Sequence, residues 1–545
     1  MKKFISISAI VVLGVILRLI FINKPDGLWN DEYVSWMIAA TPFGSGFIHA
    51  VKSQCHMPFY YLYLKFFMTI FGQSDLLLRL TSVFAGILSI IAMYFTGREK
   101  NEQTGLYCAG FAAISSFLIY YSQEVRLYQV LFLFSALSLL YTIKSIKQPT
   151  KLNIILYSLF NFLILFTHTI GFVFVFFNLV FLSINLYKEF KKVITAVWIS
   201  IFTGGIILFP LILNILTRES FSQWWGSFSI SKLAFLVTDY FSPILTNLTN
   251  APDNFFYAPK LAIFMIVPAI ICIYFIGKSV IKNKFNIGLL GICIGTLFIL
   301  ILASISGKLV FITKYSIEIY PILIYLVCFG ADAIEKNKLK YTLIIIYSLI
   351  SMGYIFFAPY SAPKMHRAEG HKIPADILAQ FNLKKDDIIL LEYYPESRFY
   401  KYIDFSNYRV TAIHKGNFNQ YLTDNIDYTK AYSSGKKIYK NIFKTDSNNY
   451  FDTILKKDII NGLQPGQSVA LIILNSVAFH SPEEIKQIAE NENLYNKEPL
   501  LFMVFSYIKY KTFTELMKTL AITSIAKKGN WTLVKFTKLN NTTLK

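Results

Sequence analysis

Near the N-terminus the segment Asp26-Gly27-Leu28-Trp29-Asn30-Asp31-Glu32-Tyr33 sets two carboxylates side by side, just after a long apolar run. Adjacent acids of this kind suit general-base work, one abstracting a proton while its neighbour shapes the loop. Taken alone, the same dipeptide also reads as a solvated acidic loop. Further along stand Cys55-His56-Met57-Pro58, then Tyr120-Tyr121-Ser122-Gln123-Glu124-Val125-Arg126-Leu127-Tyr128, then Thr167-His168, and late in the chain Lys314-Tyr315 before Pro321. Together they offer carboxylates, cations and aromatic rings. An acceptor hydroxyl or amine attacking an anomeric carbon needs a base on one face. A departing phosphate needs cations on the other. His56, Arg126 and Lys314 are candidates for the phosphate, Arg126 being suited to bidentate contact. Arg126 reads equally as an interfacial cation that snorkels, and His168 as a satisfied histidine at the end of a span. Arg18, near the end of the first apolar run, either snorkels or reaches a lipid phosphate.

For these groups to meet, the elements that carry them must share one side of a membrane. Of the 545 residues 54% are hydrophobic, with 50 Phe and 35 Tyr, and the mean hydropathy is +0.48. That is too apolar for an ordinary soluble enzyme. The net charge of +21 does not point to nucleic acid, because the lysines fall in short runs between apolar stretches and form no basic motif. Of the five cysteines, four (Cys108, Cys272, Cys293 and Cys328) lie inside apolar stretches, so neither a disulfide framework nor a CxxC metal motif follows. Lys2 and Lys3 precede the first apolar run, which no small-residue cleavage site ends, and it is taken as an uncleaved span.

Runs of span length recur up to about Phe357, about eleven in all. Residues 104–120 are expected to form one of them. Alternate loops gather basic residues (Arg98/Lys100, Lys144/Lys147/Lys151, Lys188/Lys191/Lys192, Lys278/Lys282/Lys284, Lys336/Lys338/Lys340), which places them and the N-terminus in the cytoplasm. The acids, His56, Arg126 and His168 then fall on the opposite face. So does everything after about Ala358. Pro58 to Phe67 is too short to span comfortably and is expected to lie in the interface, and Trp224-Trp225 reads as an interfacial anchor.

After Pro363 the chain turns to Lys, Asn and Asp mixed with short strand-like runs. Ile388–Leu391, Val469–Leu474 and Trp531–Val534 are expected as strands, and Pro374–Phe381 and Ser481–Glu492 as helices, the latter opened by a capping box. The division is therefore a membrane domain, 1–360, and a soluble α/β domain, 361–545, large enough for its own core.

In this order the segments resemble the dolichyl-phosphate-mannose protein mannosyltransferase-like family, which includes the aminoarabinose transferases. Met57 stands where that family usually has Pro. The resemblance covers roughly the first two hundred residues, with Lys314-Tyr315 similar to a later basic-Tyr…Pro stretch. It implies a polytopic α-helical C-type glycosyltransferase in a bacterial inner membrane, the soluble domain being periplasmic. A sugar would pass from a polyprenyl-phosphate donor to a lipid, glycan or protein acceptor, with inversion. It further implies Asp31 as the catalytic acid with Glu32 its neighbour, and Glu124 near a second acid that shapes the acceptor or donor site; Tyr128, His168 and Tyr315 are the remaining candidates around the substrates. No cofactor follows. A divalent cation would be compatible with Glu and His on one face, but no ligand spacing calls for one. The alternative is a multi-span transporter or flippase of lipid-linked glycans, which would set its ionisable groups near mid-membrane and often show repeated halves. Here the acids lie in loops and no repeat is visible.

Overall fold

The computed structural model describes residues 2–20, 22, 27–53, 57–217, 230–241, 259–306, 313–357, 370, 372–391, 401–404, 406, 408–412, 455–456, 459–474, 512–528 and 531–539. The chain divides into two units: residues 1–24 with 34–365, and residues 25–33 with 366–545.

Among the described residues, the regular elements of the first unit are all helices. Its elements are α1 (Lys2–Leu19), α2 (Asn30–Ala40, whose first turn belongs to the second unit), α3 (Ser45–Ser53), α4 (Phe59–Phe71), α5 (Asp75–Arg98), α6 (Glu102–Ile114), α7 (Ser116–Ser122), α8 (Tyr128–Lys147), α9 (Lys151–Thr167), α10 (Gly171–Thr217, kinked at Phe190), α11 (Ile230–Phe241), α12 (Pro259–Lys282), α13 (Lys284–Ile305), a 3-10 helix (Thr313–Ile319), α14 (Tyr320–Asp332) and α15 (Asn337–Phe357). Among the described residues five helices are long and apolar enough to cross a bilayer, or six if α6 and α7 count as one bent span. Their outer faces stay apolar: Ile287, Ile294 and Phe298 of α13 are more than half exposed, as lipid-facing positions would be.

One set of polar groups inside the bundle is matched internally. Ser138 and Thr142 of α8, Asn161 of α9 and Asn178 of α10 form a closed hydrogen-bonded set, each 0–2% exposed. In an apolar surround such a set fixes three helices in register, because the amide oxygens of Asn161 and Asn178 would otherwise lose the donors that reach them from other helices.

Residues 104–120 do not form the single span expected from their hydropathy. The helix breaks at Ser115, and α6 and α7 meet at 60°. Arg18 explains how the break is sustained. Its guanidinium is 0% exposed and donates to the carbonyls of Ala112 (2.9 Å) and Ala113 (3.1 Å), in the last turn of α6, and to Ser122 Oγ (3.0 Å). Helix-end carbonyls lose their intrahelical donors, and here a buried cation supplies replacements. Arg18 therefore neither snorkels nor reaches for lipid. Gly86 makes room for it, since a Cβ there would lie 2.8 Å from Arg18 Nε and 2.5 Å from Ser122 Oγ.

The second unit holds α16 (Lys372–Gln380) and a five-stranded sheet of β1 (Ile388–Leu391), β2 (Arg409–Ala412), β3 (Ser468–Leu474), β4 (Ala521–Lys528) and β5 (Trp531–Thr537), in the order β2-β1-β3-β5-β4. β2, β1 and β3 are parallel, while β5 runs antiparallel to both β3 and β4. The period-two alternation of side chains gives the sheet two cores. Ile388, Leu390, Val469, Leu471, Val534 and Phe536 face one way. Ile389, Leu391, Ala470, Ile472 and Leu533 face the other, where Ile373 and Ile377 of α16 cover them. The helix expected at Ser481–Glu492, with its capping box, lies outside the described residues, as do His56 and Trp224-Trp225.

Candidate active site

The turn between α7 and α8 is held from both sides before it presents any side chain. Gln123 donates to the carbonyls of Arg18 (2.8 Å) and Ile20 (2.7 Å), capping the end of α1. Ser82 Oγ donates to the carbonyl of Glu124. Ser122 donates to Gln129 Oε1 (3.0 Å), and Gln129 Nε2 donates to Ser89 Oγ (3.0 Å). The turn is thus tied to α1, α5 and α8 through its backbone and its neighbours.

Arg126 is 6% exposed, and its Nη1 donates to Ser35 Oγ of α2 at 3.3 Å. Its Cζ lies 5.8 Å from the centroid of the Tyr128 ring. Lys314, 7% exposed, places Nζ 5.5 Å from that same centroid and 5.7 Å from the ring of Tyr315. Both separations are cation–π distances. His168, at the C-terminal cap of α9, meets Tyr128 edge-on at 6.4 Å and Tyr315 at 6.1 Å. Five of the residues singled out in the sequence, from three distant stretches, therefore form one cluster: Arg126, Tyr128, His168, Lys314 and Tyr315. Glu124 belongs to the same turn and is 6% exposed.

The 3-10 helix that carries Lys314 and Tyr315 is fixed by acids and phenols that sequence reasoning missed. Glu318, 0% exposed, accepts or shares a proton with His168 Nδ1 at 3.0 Å through Oε1. Oε2 of Glu318 has no hydrogen-bond partner among the described residues. Thr313 Oγ1 donates to Asp239 Oδ2 of α11 at 2.7 Å, and Tyr240 Oη donates to the carbonyl of Ser316 at 2.6 Å. Tyr320 in turn donates to the carbonyl of Tyr240 (2.6 Å), and the two rings stack at 4.7 Å. The signal was available: Glu318 and Asp239 are carboxylates inside apolar stretches, where an ionisable side chain is a functional candidate by default.

Asp31 and Glu32 begin α2 and belong, with residues 25–33, to the second unit. Glu32 is 1% exposed, and its Oε2 accepts the backbone N–H of Trp29 at 3.2 Å. This is the reach-back half of a capping box, an acid at the third helical position satisfying the N–H of the cap residue. Asp31 is partly exposed. Among the described residues no three His, Cys, Asp or Glu side chains gather as a metal-binding group.

Residues 55–213 match the sequence profile of the dolichyl-phosphate-mannose-protein mannosyltransferase family, in the region where the motifs resembled it. ArnT from Cupriavidus metallidurans in its apo state is similar in structure at 12% identity, with 98% of each chain covered and a TM-score of 0.54. The membrane-spanning part has the C-type glycosyltransferase fold. The same C-type comparison finds Cupriavidus ArnT bound to undecaprenyl phosphate (10% identity, 97% of each chain, TM-score 0.48). It also finds the Archaeoglobus fulgidus oligosaccharyltransferase (11% identity, 98% of this chain and 88% of that one, TM-score 0.46). Among curated proteins, no sequence match to the chain was found.

Proposed function

We propose that this protein is a glycosyltransferase that takes a sugar from a polyprenyl-phosphate carrier and attaches it to an envelope lipid, glycan or protein. One observation carries the reading: two buried cations, Arg126 and Lys314, flank Tyr128 beside the His168–Glu318 pair, within a C-type fold. Paired cations with aromatic walls suit a phosphate attached to an apolar chain and a sugar. In the reaction the acceptor oxygen or nitrogen bonds to the anomeric carbon while the bond from that carbon to the phosphate oxygen breaks. The acceptor's proton goes to Asp31, and the electron pair leaves with the polyprenyl phosphate, inverting the anomeric centre. Arg126 and Lys314, with His56, neutralise the charge that develops on the leaving phosphate. Tyr128, Tyr315, His168 and Glu124 border the donor, and Glu32 orients the helix start that carries Asp31. The chain resides in a bacterial inner membrane with the soluble domain on the periplasmic side.

Mass spectrometry of envelope lipids and glycans from deletion and wild-type cells identifies the sugar and its attachment point. The Asp31→Asn protein, assayed in detergent with that donor and acceptor, should lose about 10²–10⁴ in rate while donor binding survives, as expected for removal of a positioned base. Glu32→Gln should be milder. Wild-type turnover by Asp31→Asn would remove the base assignment. Absence of any transfer by wild-type protein in detergent, where no compartment is sealed, would favour translocation over chemistry.

A further inference from the structure

The turn that leads to Asp31 packs with the soluble domain, although helices of the membrane-spanning unit precede and follow it in the chain. Two contacts hold it. The backbone N–H of Leu28, a residue 0% exposed, donates to Tyr402 Oη at 2.8 Å. The ring of Tyr402 itself rests against the core formed by Ile373, Ile377 and Ile389, so the hydroxyl is presented by a packed platform. Gly27 has φ +88°, and a Cβ there would lie 2.6 Å from both the backbone N and the Cβ of Lys372. Only glycine permits that backbone angle and that approach together. Beyond the turn, the bond from Trp29 N–H to Glu32 fixes the first turn of α2, in which Asp31 is the second residue.

We propose that the C-terminal domain is a clamp that sets the position of the acid-bearing turn, with Tyr402 a positioning residue that acts on Asp31 through the Leu28 amide and touches no substrate. This rests on the assignment of Asp31 as the base. A base has to be held within about 0.5 Å of its working position, and a displacement of about 1 Å can cost about 10²-fold in rate. The domain thereby gains a role that does not require a ligand of its own.

The test uses the full-length protein in lipid nanodiscs, comparing wild type with Tyr402→Phe and Gly27→Ala. Tyr402→Phe keeps the packed ring and removes only the hydroxyl that receives the Leu28 N–H. Hydrogen exchange of residues 27–33 should speed up at least severalfold while exchange in β1, β3 and β5 stays as in wild type. Envelope product in cells expressing equal amounts of protein should fall about ten- to hundredfold, with binding of a polyprenyl phosphate unchanged. Gly27→Ala should act in the same direction and more strongly. Unchanged exchange at residues 27–33 in Tyr402→Phe would overturn the clamp. Faster exchange with undiminished product would overturn its positioning role. Asp31→Asn run alongside separates the two proposals: if it forms product at the wild-type rate the base assignment fails, while the exchange data still decide whether the domain holds the turn.

Discussion

Removing the guanidinium of Arg126 should weaken binding of a polyprenyl phosphate about ten- to hundredfold. Arg126 and Lys314 are both buried and lie 5.8 and 5.5 Å from one ring centroid, so their charges are no more than about 11 Å apart. At an effective dielectric of about 20, two like charges at that separation repel by about 1.5 kcal/mol. An anion seated between them cancels that repulsion and adds a charge-assisted hydrogen bond to each, worth about 1.5–3 kcal/mol. At about 1.4 kcal/mol per factor of ten, losing one such contact gives the stated range. Arg126→Lys restores charge without the planar fork and should fall between wild type and Arg126→Ala. The assay is a titration of protein in nanodiscs with a polyprenyl phosphate and, as control, the uncharged polyprenol. The phosphate should lose affinity in Arg126→Ala and in Lys314→Ala, and the alcohol should not. The reasoning is refuted if both variants bind the phosphate within twofold of wild type, or if both ligands weaken equally, since the two cations would then serve packing alone.

Glu318→Ala should cost about 1–3 kcal/mol of stability, the usual consequence of leaving a buried hydrogen-bonding group, here His168 Nδ1, without its partner, and Glu318→Gln much less, because its amide oxygen still accepts from His168. Thermal denaturation in detergent measures both, and equal melting of the two variants would show that the pair carries no weight. Arg18→Leu should straighten or loosen the α6–α7 break and release the Arg126 turn, seen as faster hydrogen exchange at residues 112–127; exchange like that of wild type would place the cause of the break elsewhere. Phosphatase and fluorescent-protein fusions near Lys364 should report the non-cytoplasmic side, and a bright cytoplasmic fluorescent fusion without phosphatase activity would reverse the topology.

What the sequence made legible was whatever local pattern encodes. The β-rich runs located β1, β3 and β5 within a residue at every end but the last, where β5 runs on to Thr537. The break at Ser115 was hidden because residues 104–120 are apolar throughout, and the group that sustains it, Arg18, is about 95 residues away. β4 escaped because Ala521–Lys528 has little strand character of its own and is fixed by pairing with β5. In the site, Arg126, Tyr128, His168, Lys314 and Tyr315 could be drawn together from motif and span order. Glu318 could not be paired with His168 from spacing, since 150 positions separate them and it is the packing of the 3-10 helix, chiefly against α8, that brings them to 3.0 Å.

The Arg18 arrangement also bears on how the protein is made. α1 leaves the ribosome before α6 and α7, yet the carbonyls and hydroxyl that its guanidinium occupies belong to those two helices, synthesised 94 to 104 residues later. During that interval α1 meets the bilayer with a cation that lacks these partners, and because Arg18 lies in the last turn of α1 its guanidinium snorkels to the headgroups instead. The first helix therefore gains its full hold on the membrane only when the bent pair arrives. Arrival of α6 and α7 is thus an assembly checkpoint, and it is the same event that shapes the turn bearing Arg126.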